Sequence, residues 1–257
     1  MVPVLAFCGG LFLSGAASFH ILNRWSVKYR GKSLFGSYKI RTVQLPEVDP
    51  VFTPDELGTP RATEVRMIGG MATGGTSALE GWILAVLAKA AKRMFEFGTC
   101  TGKTTYAWAI NSQDEARITT ITLSPQDHAL YQSDRGDAAN DHKRALAESA
   151  FDRFYYSGAG VEHKVEQLYG DSKQFDDSPR HGKYDLVFVD GSHAYSYVAS
   201  DTAKAISMLA PGGLMLWHDY GDPRVRGVYH ALNELADDLP LKRIANTSLV
   251  MYRKPAA

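Results

Sequence analysis

Three short stretches of this 257-residue chain carry residue types able to do chemistry. The first, Glu96-Phe-Gly98-Thr-Cys-Thr-Gly102-Lys-Thr104, is a glycine-spaced loop behind an apolar run. Gly98 lets backbone pass close to a ligand, and Gly102 opens a helix whose N-terminus meets a carboxylate. On this reading Gly98→Val abolishes ligand binding and spares the fold. The other two stretches, Asp190-Gly-Ser-His193 and Trp217-His218-Asp219-Tyr220, each close an apolar run. An imidazole titrates near neutral pH, so His193 and His218 are candidate general bases. Asp190 and Asp219 offer a different chemistry. If they end neighbouring parallel strands, about 4.8 Å apart, their carboxylates converge on one cation. Hard oxygen ligands suit Mg²⁺, and His218 turned inward shifts the preference towards a transition metal. Trp217 and Tyr220 are candidate walls for an aromatic or sugar substrate, with core packing the plainer role for Trp217. Cys100 has only Lys103 as a basic neighbour and reads as a small loop residue.

Three ligands compete for the glycine loop. Gly102-Lys103-Thr104 imitates the tail of a phosphate-binding P-loop, but that motif needs glycine where Phe97 stands. The dinucleotide fingerprint needs glycine where Cys100 stands. What remains, E-x-G-x-x-x-G at a strand end, suits a ligand with no phosphates to cradle. An ordinary glycine turn is the plain alternative.

These residues need elements to hold them, and residue 77 onward supplies an alternating pattern. Ser77-Ala-Leu-Glu80 reads as a capping box ahead of the apolar run 82–87. Residues 93–97, 118–122, 165–168, 184–189 and 214–217 read as strands. Residues 104–110, 138–154, 195–209 and 225–236 read as helices between them, with Pro211-Gly-Gly213 closing the third of these. Residues 241–245 and 248–252 read as a closing hairpin. Strands alternating with helices predict a mostly parallel sheet covered on both faces, a Rossmann-like, doubly wound α/β fold with a C-terminal antiparallel hairpin. Ligands of such sheets bind outside the carboxyl ends of the strands.

Before residue 77 the chain reads differently. Residues 1–23 contain no Lys, Arg, Asp or Glu and are long enough to cross a bilayer as a hydrophobic N-terminal helix. Arg24, Lys28, Arg30 and Lys32 follow, which places the body on the cytoplasmic side of an anchored protein. A packed helix and a signal peptide are the alternatives. Residues 24–76, with Pro46, Pro50, Pro54 and Pro60, read as a basic, proline- and glycine-rich approach, either linker or lid. The third segment, residues 77–257, is the α/β domain. The formal charge is zero, but residues 1–41 hold six Lys and Arg and no acid. The remainder holds 22 basic against 28 acidic residues, net −6, which argues against a nucleic-acid surface. Hydrophobic residues at 45% and charged residues at 22% exclude disorder. Two cysteines exclude a disulfide scaffold.

The ordered set Glu96–Gly102, Gly170-Asp-Ser172, Tyr184–Tyr195, Leu209–Gly213 and Trp217–Tyr220 resembles class I S-adenosylmethionine-dependent methyltransferases. Within these it is similar to the methyltransferase domain 24 family, relatives of macrocin O-methyltransferases and cephalosporin hydroxylases. The resemblance covers residues 77–252. It implies S-adenosylmethionine as cofactor, with Glu96, Gly98, Thr99, Thr101 and Gly102 at its methionine part. Glu96 is alternatively a carboxylate that holds the loop. Asp171 and Ser172 would read the adenine. It also implies a small hydroxylated acceptor, and Mg²⁺ held by Asp190 and Asp219, with His218 where some relatives carry an acid. A homo-oligomer is left open. The chain departs from the pattern at Thr122, where relatives place an acid for the ribose hydroxyls. Thr122 makes a hydrogen bond without the charge assistance of a carboxylate. A binding protein that keeps the cofactor without turnover is the alternative to an O-methyltransferase that this departure supports.

Overall fold

The computed structural model describes residues 15, 17–22, 38–58, 64–69 and 75–256. Eight strands form one sheet: β1 Arg41–Val43, β2 Arg93–Phe97, β3 Arg117–Thr122, β4 Val165–Tyr169, β5 Tyr184–Val189, β6 Leu209–Trp217, β7 Lys242–Ile244 and β8 Val250–Arg253. Their spatial order is β1-β7-β8-β6-β5-β2-β3-β4. All pairs are parallel except β6–β8 and β7–β8, the predicted hairpin strand β8 lying antiparallel to both neighbours.

Strand periodicity builds the two layers. Phe95, Phe97, Val187, Val189, Met215 and Trp217 point to one face. There they meet α4 (Tyr195–Met208) and α5 (Arg226–Leu235) through Val198, Ala205, Met208, Val228 and Leu232. Met94, Ile118, Leu186, Phe188, Leu214 and Leu216 point to the other. Against them pack α1 (Ala78–Ala88) and α2 (Lys103–Asn111), through Ile83, Leu84, Leu87 and Trp108. Each buried aromatic or aliphatic side chain contributes about 1.5–3 kcal/mol. The expected capping box forms: Ser77 Oγ accepts the Glu80 N–H, and the Glu80 carboxylate accepts the Ser77 N–H.

Three elements differ from the sequence expectation. The helix expected over 138–154 is α3, Ala139–Glu148. Ser149 ends it, its hydroxyl turning back to the Ala145 carbonyl at 2.8 Å. Pro211-Gly-Gly213 does not close α4. Leu209 is already extended and pairs with Tyr184, and the next pair is Leu186 with Leu214, so residues 210–213 bulge from within β6. Within the proline-rich stretch, β1 adds to the sheet beside β7, and Val43, Val48 and Phe52 are buried in the core. Three residues are too short to show alternation, and only the partner strand makes them a strand.

Most of residues 1–23 lies outside the described residues. Among the described residues no helix is long and apolar enough to cross a membrane. Residues 17–22 are helical, with Phe19, Ile21 and Leu22 exposed.

Candidate active site

The carboxyl ends of β2, β3, β4, β5 and β6 meet at one rim of the sheet. Hydrogen bonds continue past the strands and fix the loops there: Gly98 N–H to Ile121 O, Asp190 N–H to Phe97 O, and His218 N–H to Val189 O. A cavity opens at this rim, with about 510 Å³ of empty space between the ends of β2, β3 and β4 and the helices α3 and α4. Gly98, Thr122, Asp171, Ser172 and Asp190 line it, as do Cys100, Tyr131, Glu148, Ser192, Tyr197 and Asp201.

Gly98 has φ +98°, and a Cβ there would sit 2.2 Å from the Asp190 carbonyl oxygen. The close approach that only glycine allows is therefore made first to β5's own backbone. Gly98→Val would strain the strand ends as well as the cavity, contrary to the expectation that it spares the fold. Gly102 (φ +75°) is likewise pressed by protein, with Phe154 and Tyr156 2.8 Å from where its Cβ would lie.

Glu96, Thr99, Thr101 and Gly102 do not line the cavity. Glu96, 1% exposed, lies beneath it. Its Oε2 accepts the hydroxyls of Thr105 and Thr120. Thr120 and Thr99 share a 2.8 Å hydroxyl contact, and Gln167 Nε2 donates to Thr99. Burial pushes the Glu96 carboxyl up to about 8, against the pull of these hydroxyls. The geometry is that of a carboxyl bracing the loop. Lys103 reaches the Thr76 carbonyl rather than the cavity, which a phosphate-binding lysine would have to face. Burial pushes the Cys100 thiol up to about 12, consistent with an unreactive loop residue.

At the β5 and β6 ends a chain of acids and imidazoles forms. His218 Nδ1 lies 3.1 Å from Asp190 Oδ1 and 3.3 Å from Asp219 Oδ1, while its Nε2 faces the buried Glu80 at 3.5 Å. His193 Nε2 is 2.9 Å from Asp219 Oδ2, and its Nδ1 faces Glu148 at 3.6 Å. Glu80 is held in place by the Ser248 N–H and hydroxyl. Burial works against the charged form of each imidazole. The carboxylates outweigh it: Asp190 foremost for His218, Asp219 and Glu148 for His193, and both histidines are raised above their usual value. Burial likewise opposes the charge on Asp219, but its two histidine partners hold the carboxyl far below the usual range. Asp219 itself has φ +61°, a left-handed conformation that a side chain adopts at a cost of about 1–3 kcal/mol.

Ligand atoms of Asp190, His193 and Asp219 all lie within 4.8 Å of one another. Two carboxylates and an imidazole are a donor set that fits a divalent cation, with the imidazole favouring a transition metal over Mg²⁺. The third member is His193, expected from sequence only as a base. Trp217 and Tyr220 are core residues, their polar atoms bonded to Thr202 and Asn233.

Sequence reasoning missed Glu80, Glu148 and Asp201. Glu80 was legible only as a helix cap, because its contacts to Ser248 and His218 are remote in sequence. Glu148 was hidden inside a helix drawn too long. Asp201 left a signal that went unused: a charged residue three positions from Val198, on the stripe that α4 buries.

Residues 95–220 match the model of a family described as a methyltransferase domain. That segment runs from β2 to Tyr220 and holds every strand end named above. Among solved structures, the Podospora anserina methyltransferase PaMTH1, with S-adenosylhomocysteine bound, is 18% identical with a TM-score of 0.50, over 70% of this chain and 80% of its own. A Corynebacterium glutamicum protein is 15% identical with a TM-score of 0.51, over 72% and 84%. The O-methyltransferase TomG from Streptomyces achromogenes, involved in tomaymycin synthesis and solved with S-adenosylmethionine, is 21% identical with a TM-score of 0.47, over 69% and 81%. At these identities the likeness is one of fold. No curated protein matches the chain.

Proposed function

We propose, from the match of residues 95–220 to a methyltransferase domain family, that the chain is a member of that family and an S-adenosylmethionine-dependent enzyme that methylates a hydroxyl oxygen of a small molecule. The observation that carries the reading is Asp190. It lines the cofactor cavity and also belongs to the acid–histidine chain, so methyl donor and proton acceptor meet at one residue. The sulfonium is already an activated leaving group. The protein's tasks are alignment of the acceptor and removal of its proton.

His193 fits the second task. Asp219 fixes the ring through Nε2, which leaves Nδ1 without a hydrogen-bond partner among the described residues. Its Nδ1 would take the proton of the acceptor hydroxyl, while bound S-adenosylmethionine would supply the methyl group and depart as a neutral thioether. His218, bonded to both Asp190 and Asp219, holds the two carboxylates in register. Asp190, Asp219 and His193 are the residues that would hold a divalent cation, whose chemistry would be to lower the pKa of the acceptor hydroxyl.

Thr122 favours a second reading, a protein that binds the cofactor without turnover, since no acid stands at the end of β3. Calorimetric titration with S-adenosylhomocysteine, followed by a mass-spectrometric screen of hydroxylated acceptors, separates the two. Absence of binding sinks both. Binding with no product from any acceptor class favours the second. We further propose that residues 1–23, uncharged and followed by four basic residues, attach the domain to a membrane from its cytoplasmic side.

A further inference from the structure

Between β3 and α3, residues 123–138 form a strap that joins no strand of the sheet. Its Leu123 and Tyr131 line one wall of the cavity. The strap's apolar anchorage is separate from the two layers of the sheet. Leu123 and Tyr131 pack with Ala145 of α3 and with Ala194 and Tyr197 at the start of α4, a small buried cluster of its own. The Tyr131 ring stacks on Tyr197, with 4.5 Å between centroids, and on His142 at 4.7 Å. Polar ties run to the same place. Tyr131 and Ser192 share a 2.7 Å hydroxyl contact, and the Gln132 N–H donates to the Tyr197 hydroxyl at 2.9 Å. In the first turn of α4, the Ser196 N–H and hydroxyl donate to the Asp137 carboxylate at 3.0 and 2.6 Å. Lys173 adds a hydrogen bond to the Gln132 carbonyl at 2.8 Å and an ion pair with Asp134 at 3.2 Å. His128 reaches the Ser149 hydroxyl at 3.3 Å, at the end of α3.

The consequence rests on the S-adenosylmethionine reading above. Ligand cavities of this size bury most of their ligand's surface, so a wall must move to let the ligand in. The strand-end walls are fixed by backbone hydrogen bonds such as Gly98 N–H to Ile121 O and Asp190 N–H to Phe97 O. The strap has no such ladder. A segment held by side chains and one satellite cluster opens locally while the sheet stays folded. We propose that residues 123–138 are a gate on the cofactor cavity, latched shut by Asp137 on Ser196 and by Tyr131 on Ser192. None of these four residues belongs to the acid–histidine chain. The latch joins protein to protein whether the cavity is empty or filled. Loosening it therefore speeds entry and exit alike and leaves affinity unchanged, because the closed states with and without ligand lose the same contact. A fixed wall behaves differently: trimming it speeds exit alone and weakens affinity.

The test measures association and dissociation rate constants of S-adenosylhomocysteine by surface plasmon resonance on the full-length protein. Asp137→Ala raises both constants about tenfold, the worth of hydrogen bonds to a charged acceptor, with the dissociation constant held within about twofold. Tyr131→Phe keeps the stacked ring, loses only the Ser192 contact, and raises both constants about threefold. This second variant carries the test if Asp137→Ala folds poorly. Faster dissociation with unmoved association makes the strap a fixed wall and overturns the gate, as do two rate constants unmoved in both variants. A wild type that binds no S-adenosylhomocysteine overturns the cofactor reading itself, and the gate with it.

Discussion

His193 Nε2 lies 2.9 Å from Asp219 Oδ2, joining the loop after β5 to a residue after β6 held at φ +61°. The strained backbone aims the Asp219 carboxylate back across the sheet rim, where one oxygen meets His193 and the other His218. Positioned carboxylate–imidazole pairs of this kind set which ring nitrogen is free to take a proton.

Asp219→Asn keeps a side chain that tolerates the left-handed backbone but removes the charge that orients His193. On a confirmed acceptor, kcat should fall about 100-fold or more, while S-adenosylhomocysteine affinity stays within about twofold. His193→Ala should lose at least as much, with wild-type activity retained in EDTA. Activity that disappears in EDTA and returns with Mn²⁺ or Mg²⁺ would transfer the proton-removing role from the histidine to a cation at Asp190, Asp219 and His193.

Thr122 ends β3 and lines the cavity, so a carboxylate placed there meets the cofactor. Thr122→Asp should tighten S-adenosylhomocysteine binding about tenfold, the worth of one charge-assisted hydrogen bond. An unchanged dissociation constant would mean that the ribose does not pass Thr122.

Glu96 gives a pH signature of the fold. Its carboxyl moves from an ordinary 4.5 to about 8 on burial, so the folded state binds more protons than the unfolded state between those values. Stability therefore declines as pH rises from about 4.5 to about 8. Glu96→Gln retains an acceptor for Thr105 and Thr120 but has no proton to lose. The variant should melt close to the wild type at pH 5 and roughly 5–10 °C above it at pH 8. Parallel melting curves at both pH values would show that Glu96 is ionised in the fold.

Truncation tests the N-terminal segment. Tyr38 packs on Tyr220 and under Arg243, and β1 starts at Arg41, so a chain beginning at Ser33 keeps the whole sheet. The full-length protein should sediment with membranes and resist a high-salt wash, and the truncated one should stay in the supernatant and bind S-adenosylhomocysteine equally well. Full-length protein that stays in the supernatant removes the membrane attachment.

Local pattern alone determined the alternating elements, the capping box at Ser77–Glu80, the five strand ends and the residues Asp190, His193, His218 and Asp219 standing on them. Apolar periodicity and turn residues act over a few positions, so one stretch of chain suffices to read them. Tertiary structure decided which of those residues share a wall. Glu96 and Gly102 lie in the glycine motif yet face protein, because the partners of that loop, Thr120, Phe154 and Tyr156, arrive from β3 and the segment after α3. β1 exists as a strand only because β7, some 200 residues later, offers its edge. Glu80, Glu148 and Asp201 reach the site from three helices, through contacts that no local pattern encodes. Chemistry at a sheet rim is assembled from strand ends distant in sequence, and their convergence is a property of the packed fold.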